Sequence, residues 1–147
     1  MATIVASTEV DRAPEEAFAY VTDPATMSEW QAGVTSGRMD RSPTVVGAHC
    51  VTTRKIGGAT REVVTEITEY DPPRRWADRG IAGPIRAVVS VTVDPLDAGT
   101  RSRVTIELDF EGHGIGKVLV PLLVRRQATR DMPSMMLRLR QRLERAA

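Results

Sequence analysis

The sequence predicts an α+β domain in which an antiparallel sheet of about seven strands wraps around one long C-terminal helix. Three observations predict it. Turn signals recur at roughly ten-residue spacing from Val34 to Glu111, the pattern of an antiparallel meander. From Gly114 to Ala147 the apolar residues fall at helical steps: Val118, Leu119, Leu122 and Leu123, then Met132, Met136, Leu139 and Leu143. Ahead of the meander stand one strand and two short helices. With no internal repeat and no low-complexity segment, residues 1–147 read as a single domain.

In chain order, Thr3 to Asp11 alternates and is rich in β-branched residues, as a strand should be. Ala13-Pro14-Glu15-Glu16 opens a helix, with proline early and acids in the first turn. Asp23-Pro24 ends it and starts a second short helix reaching Trp30. The meander follows as Val34–Asp40, Ala48–Ile56, Ala59–Tyr70, Arg75–Ile81, Ile85–Val93 and Arg101–Glu111. Ser42-Pro43, Gly57-Gly58, Asp71-Pro72-Pro73, Ala82-Gly83-Pro84 and Asp97-Ala98-Gly99-Thr100 supply the turns. Gly112 to Gly116 joins the sheet to the last helix, and three glycines in five residues fit either a hinge or a plain mobile connector.

Pro121 suits the first turn of that helix. Pro133 removes a backbone hydrogen bond and crowds the preceding turn, which predicts a kink or break near Asp131. The span is then one kinked helix or two consecutive ones, a first segment covering the sheet and a second anchored on it. Arg138, Arg140, Arg142, Glu144 and Arg145 form its solvated face. Met132, Met135 and Met136, with Met39, fit core packing or an adaptable binding surface.

Alternation separates the faces of the sheet. Val104, Ile106, Leu108 and Phe110 point inward, and Arg103, Thr105, Glu107, Asp109 and Glu111 point to water. Val89, Val91 and Val93 are inward in the same way, as are Val63, Thr65 and Ile67. The strand from Ala48 is ambiguous: Cys50 and Ile56 favour the even face, which also turns Thr52 and Arg54 inward, and Val51 favours the odd one.

Composition excludes several classes. Charged residues are 27% and the net charge is +1, unlike the basic balance of a dedicated nucleic-acid binder. Nearly all the basic residues are arginine, which points to a GC-rich bacterial coding bias. Cys50 is the single cysteine, so no intrachain disulfide forms. The N-terminus lacks the charged and apolar regions of a signal peptide, and no apolar run has the length of a membrane span, so the expected location is cytoplasmic without stable membrane insertion. No G-x-S-x-G, P-loop or dinucleotide fingerprint occurs, and His49 and His113 lie in separate elements, so neither a metal nor a cofactor is expected.

Several segments together resemble the START-like helix-grip superfamily (SRPBCC), in its polyketide cyclase/dehydrase and lipid-transport branch. They are Ala13-Pro14-Glu15-Glu16-Ala17-Phe18, the Asp23-Pro24 break before Trp30, Val46-Gly47, Glu66-Ile67-Thr68-Glu69-Tyr70-Asp71-Pro72-Pro73-Arg74-Arg75, and Gly99-Thr100-Arg101. The resemblance implies a curved sheet gripping the C-terminal helix over a deep apolar cavity. It implies no catalytic residue, since members share no universal catalytic motif.

The expected function is binding of a lipid-like or polyketide-like apolar molecule between sheet and helix. The alternative is an aromatase/cyclase or dehydratase using an ionisable group inside the cavity. The inward aliphatic positions Ile67, Val89, Val91, Ile106 and Leu108, with Phe110, are the expected lining, together with Leu119 and Leu122 of the helix. Trp30 is placed at the cavity mouth, and Trp76 fits pocket lining and core packing equally. Arg54 and Asp78 are the ionisable residues on inward positions, unless twist or a bulge turns them to solvent. The expected partners are this small molecule and no nucleic acid, and the chain is read as a monomer or homodimer.

Overall fold

Seven strands pair in the order β1-β7-β6-β5-β4-β3-β2, every neighbouring pair antiparallel, in a computed structural model that describes residues 3–56 and 58–145. The side chains of residues 56, 119, 121 and 122 lie outside the described set. The strands are β1 (Ile4–Val10), β2 (Val34–Met39), β3 (His49–Ile56), β4 (Ala59–Asp71), β5 (Arg75–Gly80), β6 (Ile85–Leu96) and β7 (Arg101–Gly112). β2 to β7 form the expected meander, and β1 closes the order by pairing with β7, Ala6 opposite Ile106. Register shifts in β2 and in β4 between Ile67 and Glu69 bend the sheet. The second shift explains why Tyr70 joins Ile67 on the inner side although an odd number separates them.

α1 (Pro14–Val21) runs into a 3₁₀ turn (Pro24–Thr26) and α2 (Met27–Trp30). Asp23 caps the turn, its Oδ1 accepting from the Ala25 N–H at 3.0 Å. Tyr20 donates its hydroxyl to Glu29 at 2.6 Å, which joins α1 to α2.

The C-terminal span is α3 (Gly116–Leu119), one π-helical turn (Val120–Val124) and α4 (Arg125–Arg145). Of the two outcomes expected at Pro133, one helix or two consecutive ones, the structure has the first: α4 continues through the proline without a break. Pro133 is exposed, so the carbonyl it leaves without an N–H can bond to water, and the buried stripe of Met132, Met136, Leu139 and Leu143 passes on the other side. The irregularity sits one segment earlier, in the π turn around Pro121. A π turn takes up extra residues and rotates the stripe. Val118 and Leu123, expected on the buried face, are therefore 57% and 62% exposed, whereas Val120 is 3% exposed.

Both ends of α4 are fastened. Arg125 pairs with Asp109 of β7. At the other end Glu144 accepts from the backbone N–H of Asp11 at 2.9 Å, and its carbonyl accepts from Arg12. Glu144, expected on the solvated face, is thus a structural tie. The Gly112–Gly116 joint is also packed. A Cβ on Gly112 would collide with the carbonyl of Gly116, and one on Gly116 with the carbonyl of Pro84, while His113 N–H donates to Pro84 at 2.8 Å. These glycines serve close approach of backbone to backbone, which neither the hinge nor the mobile connector anticipated.

Candidate functional site

The inner face of the sheet changes character along the strands. Val10, Val93 and Val104 at one end are fully buried, as are Leu139 and Leu143 of α4 in the same core cluster. Toward the other end Ile4, Val89, Leu108 and Phe110 are only partly buried. The aliphatic inner face is thus sealed at one end and left accessible at the other.

Polar chemistry enters at the accessible end. Pairing registers place Ile4, Leu108, Val89, Asp78 and Ile67 side by side across five strands. One row further, Cys50 stands opposite Thr65 and Thr65 opposite Gly80. Asp78 is therefore a single carboxyl set in an aliphatic row, 7% exposed. Thr65 donates its hydroxyl to Asp78 Oδ2 at 2.8 Å. Oδ1 is buried and has no hydrogen-bond partner among the described residues. Burial pushes the carboxyl up to about 6, against the opposing pull of the Thr65 hydroxyl, the Arg54 charge and the indole N–H of Trp76, which is directed at the carboxyl without closing a hydrogen bond of normal length to Oδ1.

Arg54 folds back along β3, its Nε donating to Thr52 Oγ1 at 3.0 Å. Burial draws the guanidinium below its ordinary range, and Asp78 opposes that fall. The two groups sense each other but do not touch: no ion pair within 4.0 Å joins them among the described residues. Cys50 is buried beside them, and burial first, then the Asp78 charge, pushes its thiol up to about 12. It is a neutral thiol at neutral pH and an unsuitable nucleophile. The ambiguity of β3 resolves with Cys50, Thr52 and Arg54 on the even, inner face; Val51 is buried as well.

The other expected residues divide. Trp76 is buried in the core cluster, edge-on to Tyr70 at 6.2 Å, with Tyr70 against Phe18 at 5.9 Å. Ile67, Val91 and Ile106 belong to the same cluster and form the packed floor. Trp30 is buried in α2 with its indole N–H unpaired among the described residues. The expectations for Leu119 and Leu122 fall on side chains outside the described residues. Thr65 was legible as an inward residue of β4, yet nothing in its type announced that it would hold the buried carboxyl.

A cleft of about 540 Å³ lies elsewhere, between α1 and the β4–β5 turn, and reaches Glu15, Phe18, Asp23, Met39, Tyr70 and Pro73. It contains none of the expected site residues and no buried unpaired polar atom, so the chemistry favours the Asp78 region over it. Among the described residues no three His, Cys, Asp or Glu side chains are grouped to hold a metal ion. No helix there is long and apolar enough to cross a membrane.

The family model described as polyketide cyclase / dehydrase and lipid transport matches residues 1–144. Among solved structures, the Zhui aromatase/cyclase of a Streptomyces species (R1128) superposes with a TM-score of 0.78 at 12% identity, over 98% of this chain and 94% of that one. A START superfamily protein from Mycobacterium smegmatis gives a TM-score of 0.77 at 14% identity over 99% of both chains. The di-domain ARO/CYC BexL of the BE-7585A biosynthetic pathway gives 0.76 at 15% identity; this chain, 98% covered, spans 47% of its length. At these identities the likeness is one of fold. A comparison with curated proteins returns no match.

Proposed function

The chain belongs to the polyketide cyclase/dehydrase and lipid transport family, and on that premise we propose that it binds an apolar small molecule, lipid-like or polyketide-like, between the sheet and the C-terminal helical span. The apolar body lies on Val89, Leu108 and Phe110, and a polar group of the molecule reaches Asp78 and Arg54. The observation that carries this reading is the buried Asp78 Oδ1, without a hydrogen-bond partner among the described residues, in a row with Ile4, Leu108, Val89 and Ile67. An orphaned buried acceptor costs free energy unless something donates to it. Aliphatic walls supply affinity by burial, at roughly 25 cal/mol per Å², and little discrimination. Native mass spectrometry of the purified protein, with quenching of Trp30 and Trp76 fluorescence by naphthalene-type ligands, tests the reading. Uptake that Val89→Phe blocks while the thermal transition is retained supports it; no bound molecule and no uptake would refute it.

A second reading, cyclase or dehydratase chemistry, is favoured by the Asp78 carboxyl at about 6. A group in that range holds and releases a proton near neutral pH, as removal of a proton beside a carbonyl requires. Deuterium exchange at the α-carbon of a β-keto ester, followed by NMR, tests it: exchange catalysed by the wild type and lost in Asp78→Asn supports turnover, and equal exchange with both refutes it.

A further inference from the structure

We infer that Arg54 and Arg61 seat the head of an apolar molecule that ends in a carboxylate, at the open end of the inner face. This deepens the binding reading above and rests on it. The two arginines are direct partners across β3 and β4, so their side chains leave the same face of the sheet. Thr52 opposite Val63 and Cys50 opposite Thr65 continue that face along the same two strands. Thr65 bonds to Asp78, which fixes the face as the inner one. Along β4 the pair lies beyond Thr65, toward the accessible end, and a molecule entering there meets it before Asp78.

Pairing singles these two arginines out. Each arginine of β5 and β7 has a carboxylate partner: Arg75 with Glu69 at 3.1 Å, Arg79 with Glu111 at 2.6 Å, Arg101 with Glu9 at 3.6 Å and Arg103 with Glu9 at 3.1 Å. Arg54 and Arg61 face each other instead, and among the described residues no carboxylate lies within 4.0 Å of either. Like charges directly opposite in a sheet repel. Arg54 is also withdrawn from water, and its Nε–H is engaged by Thr52 Oγ1 at 3.0 Å. That bond turns the guanidinium along β3 toward the interior and leaves its terminal nitrogens as donors. Arg61 is exposed at the rim. Charge sets the class of head. Arg54, Arg61 and Asp78 are the charged residues on the inner positions of the described strands, and two positive charges with one ionised Asp78 leave a net positive face. One carboxylate neutralises it and offers two oxygens to the guanidinium donors. A hydroxyl accepts a hydrogen bond but leaves the charge unmatched, and an ammonium adds to it.

The test uses decanoate, 1-decanol and decyltrimethylammonium, one chain with three heads, bound to the whole protein at pH 7.5 and read by tryptophan fluorescence; acetate supplies the head without the chain. Decanoate should bind at least about tenfold more tightly than decanol, and decyltrimethylammonium no more tightly than decanol. Arg54→Gln should remove that preference, and Arg61→Gln should weaken decanoate by about two- to fivefold; both should leave decanol binding unchanged. Arg61 is exposed and has no carboxylate partner among the described residues, so its variant should keep the thermal transition. Equal affinity for decanoate and decanol in the wild type, or a preference that both variants retain, overturns the seat and leaves the apolar binding reading standing. Displacement of decanoate by an equal concentration of acetate would make the pair a site for free anions and overturns the head-group assignment too. No affinity for any of the three chains overturns both readings. Should Arg54→Gln fail to fold, the wild-type comparison and Arg61→Gln decide.

Discussion

Replacing Asp78 with Asn is expected to stabilise the free protein, and only where the carboxyl would have been ionised. The carboxyl moves from an ordinary 3.8 to about 6 in the fold, with burial as the largest cause. An acid whose pKa is raised by folding binds more protons folded than unfolded between those two values. Stability therefore falls as pH rises through that window, and the full cost is present above it. A difference of about two units at 1.36 kcal/mol each is about 3 kcal/mol. Asn resembles the neutral acid, can still accept from Thr65, and escapes that cost. For a chain of this size about 3 kcal/mol is worth about 6–12 °C in Tm. Melting curves of wild type and variant followed by circular dichroism from pH 4 to 8 supply the measurement. The two proteins should melt almost together near pH 4, diverge between pH 4 and 6, and keep a constant gap above pH 7, the variant higher. A gap independent of pH, or a variant less stable at pH 7.5, would mean that the carboxyl is not desolvated as the structure has it.

Three further outcomes follow from the packing. Leu139→Ala, at a position 0% exposed under the sheet, should lower stability by about 2–5 kcal/mol in urea titrations. Gly116→Ala forces a Cβ against the Pro84 carbonyl; a loss of about 1–3 kcal/mol is expected, with faster hydrogen exchange at the His113 amide that donates to Pro84. Pro133→Ala restores a helical hydrogen bond on the exposed side of α4 and should stabilise the protein by at most about 3 kcal/mol, the cost of a mid-helix proline, read in urea titrations.

The order of elements was determined by the sequence alone, because it depends on local chemistry. Alternation in Val104, Ile106 and Leu108 needs only the period of a strand, and Asp23-Pro24 needs only cap and turn geometry. The steps of Met132, Met136, Leu139 and Leu143 place the anchored half of the helix in the same way, and all four are buried. Even the inward set of β4 could be read up to Ile67, where the register shift begins.

What the sequence left open depends on residues far apart in the chain. Whether Gly116 is a hinge turns on Pro84, whose carbonyl it meets at the adjoining end of β6. Whether Val118 and Leu123 are buried turns on a π turn, which a helical period of constant step does not contain. Pro133 was expected to kink or break the helix because propensity counts the lost bond and the crowded turn; the tertiary structure places the proline on the wet side, and α4 continues through it as one helix. The site shows the same division most clearly. Arg54 and Asp78 were candidates by alternation, but their chemistry comes from Thr65 holding one carboxyl oxygen, Thr52 holding Nε, and neighbouring strands excluding water from the other oxygen. Alternation assigns a face to each strand separately; desolvation and the distance between two charges are set only when β3, β4 and β5 lie side by side.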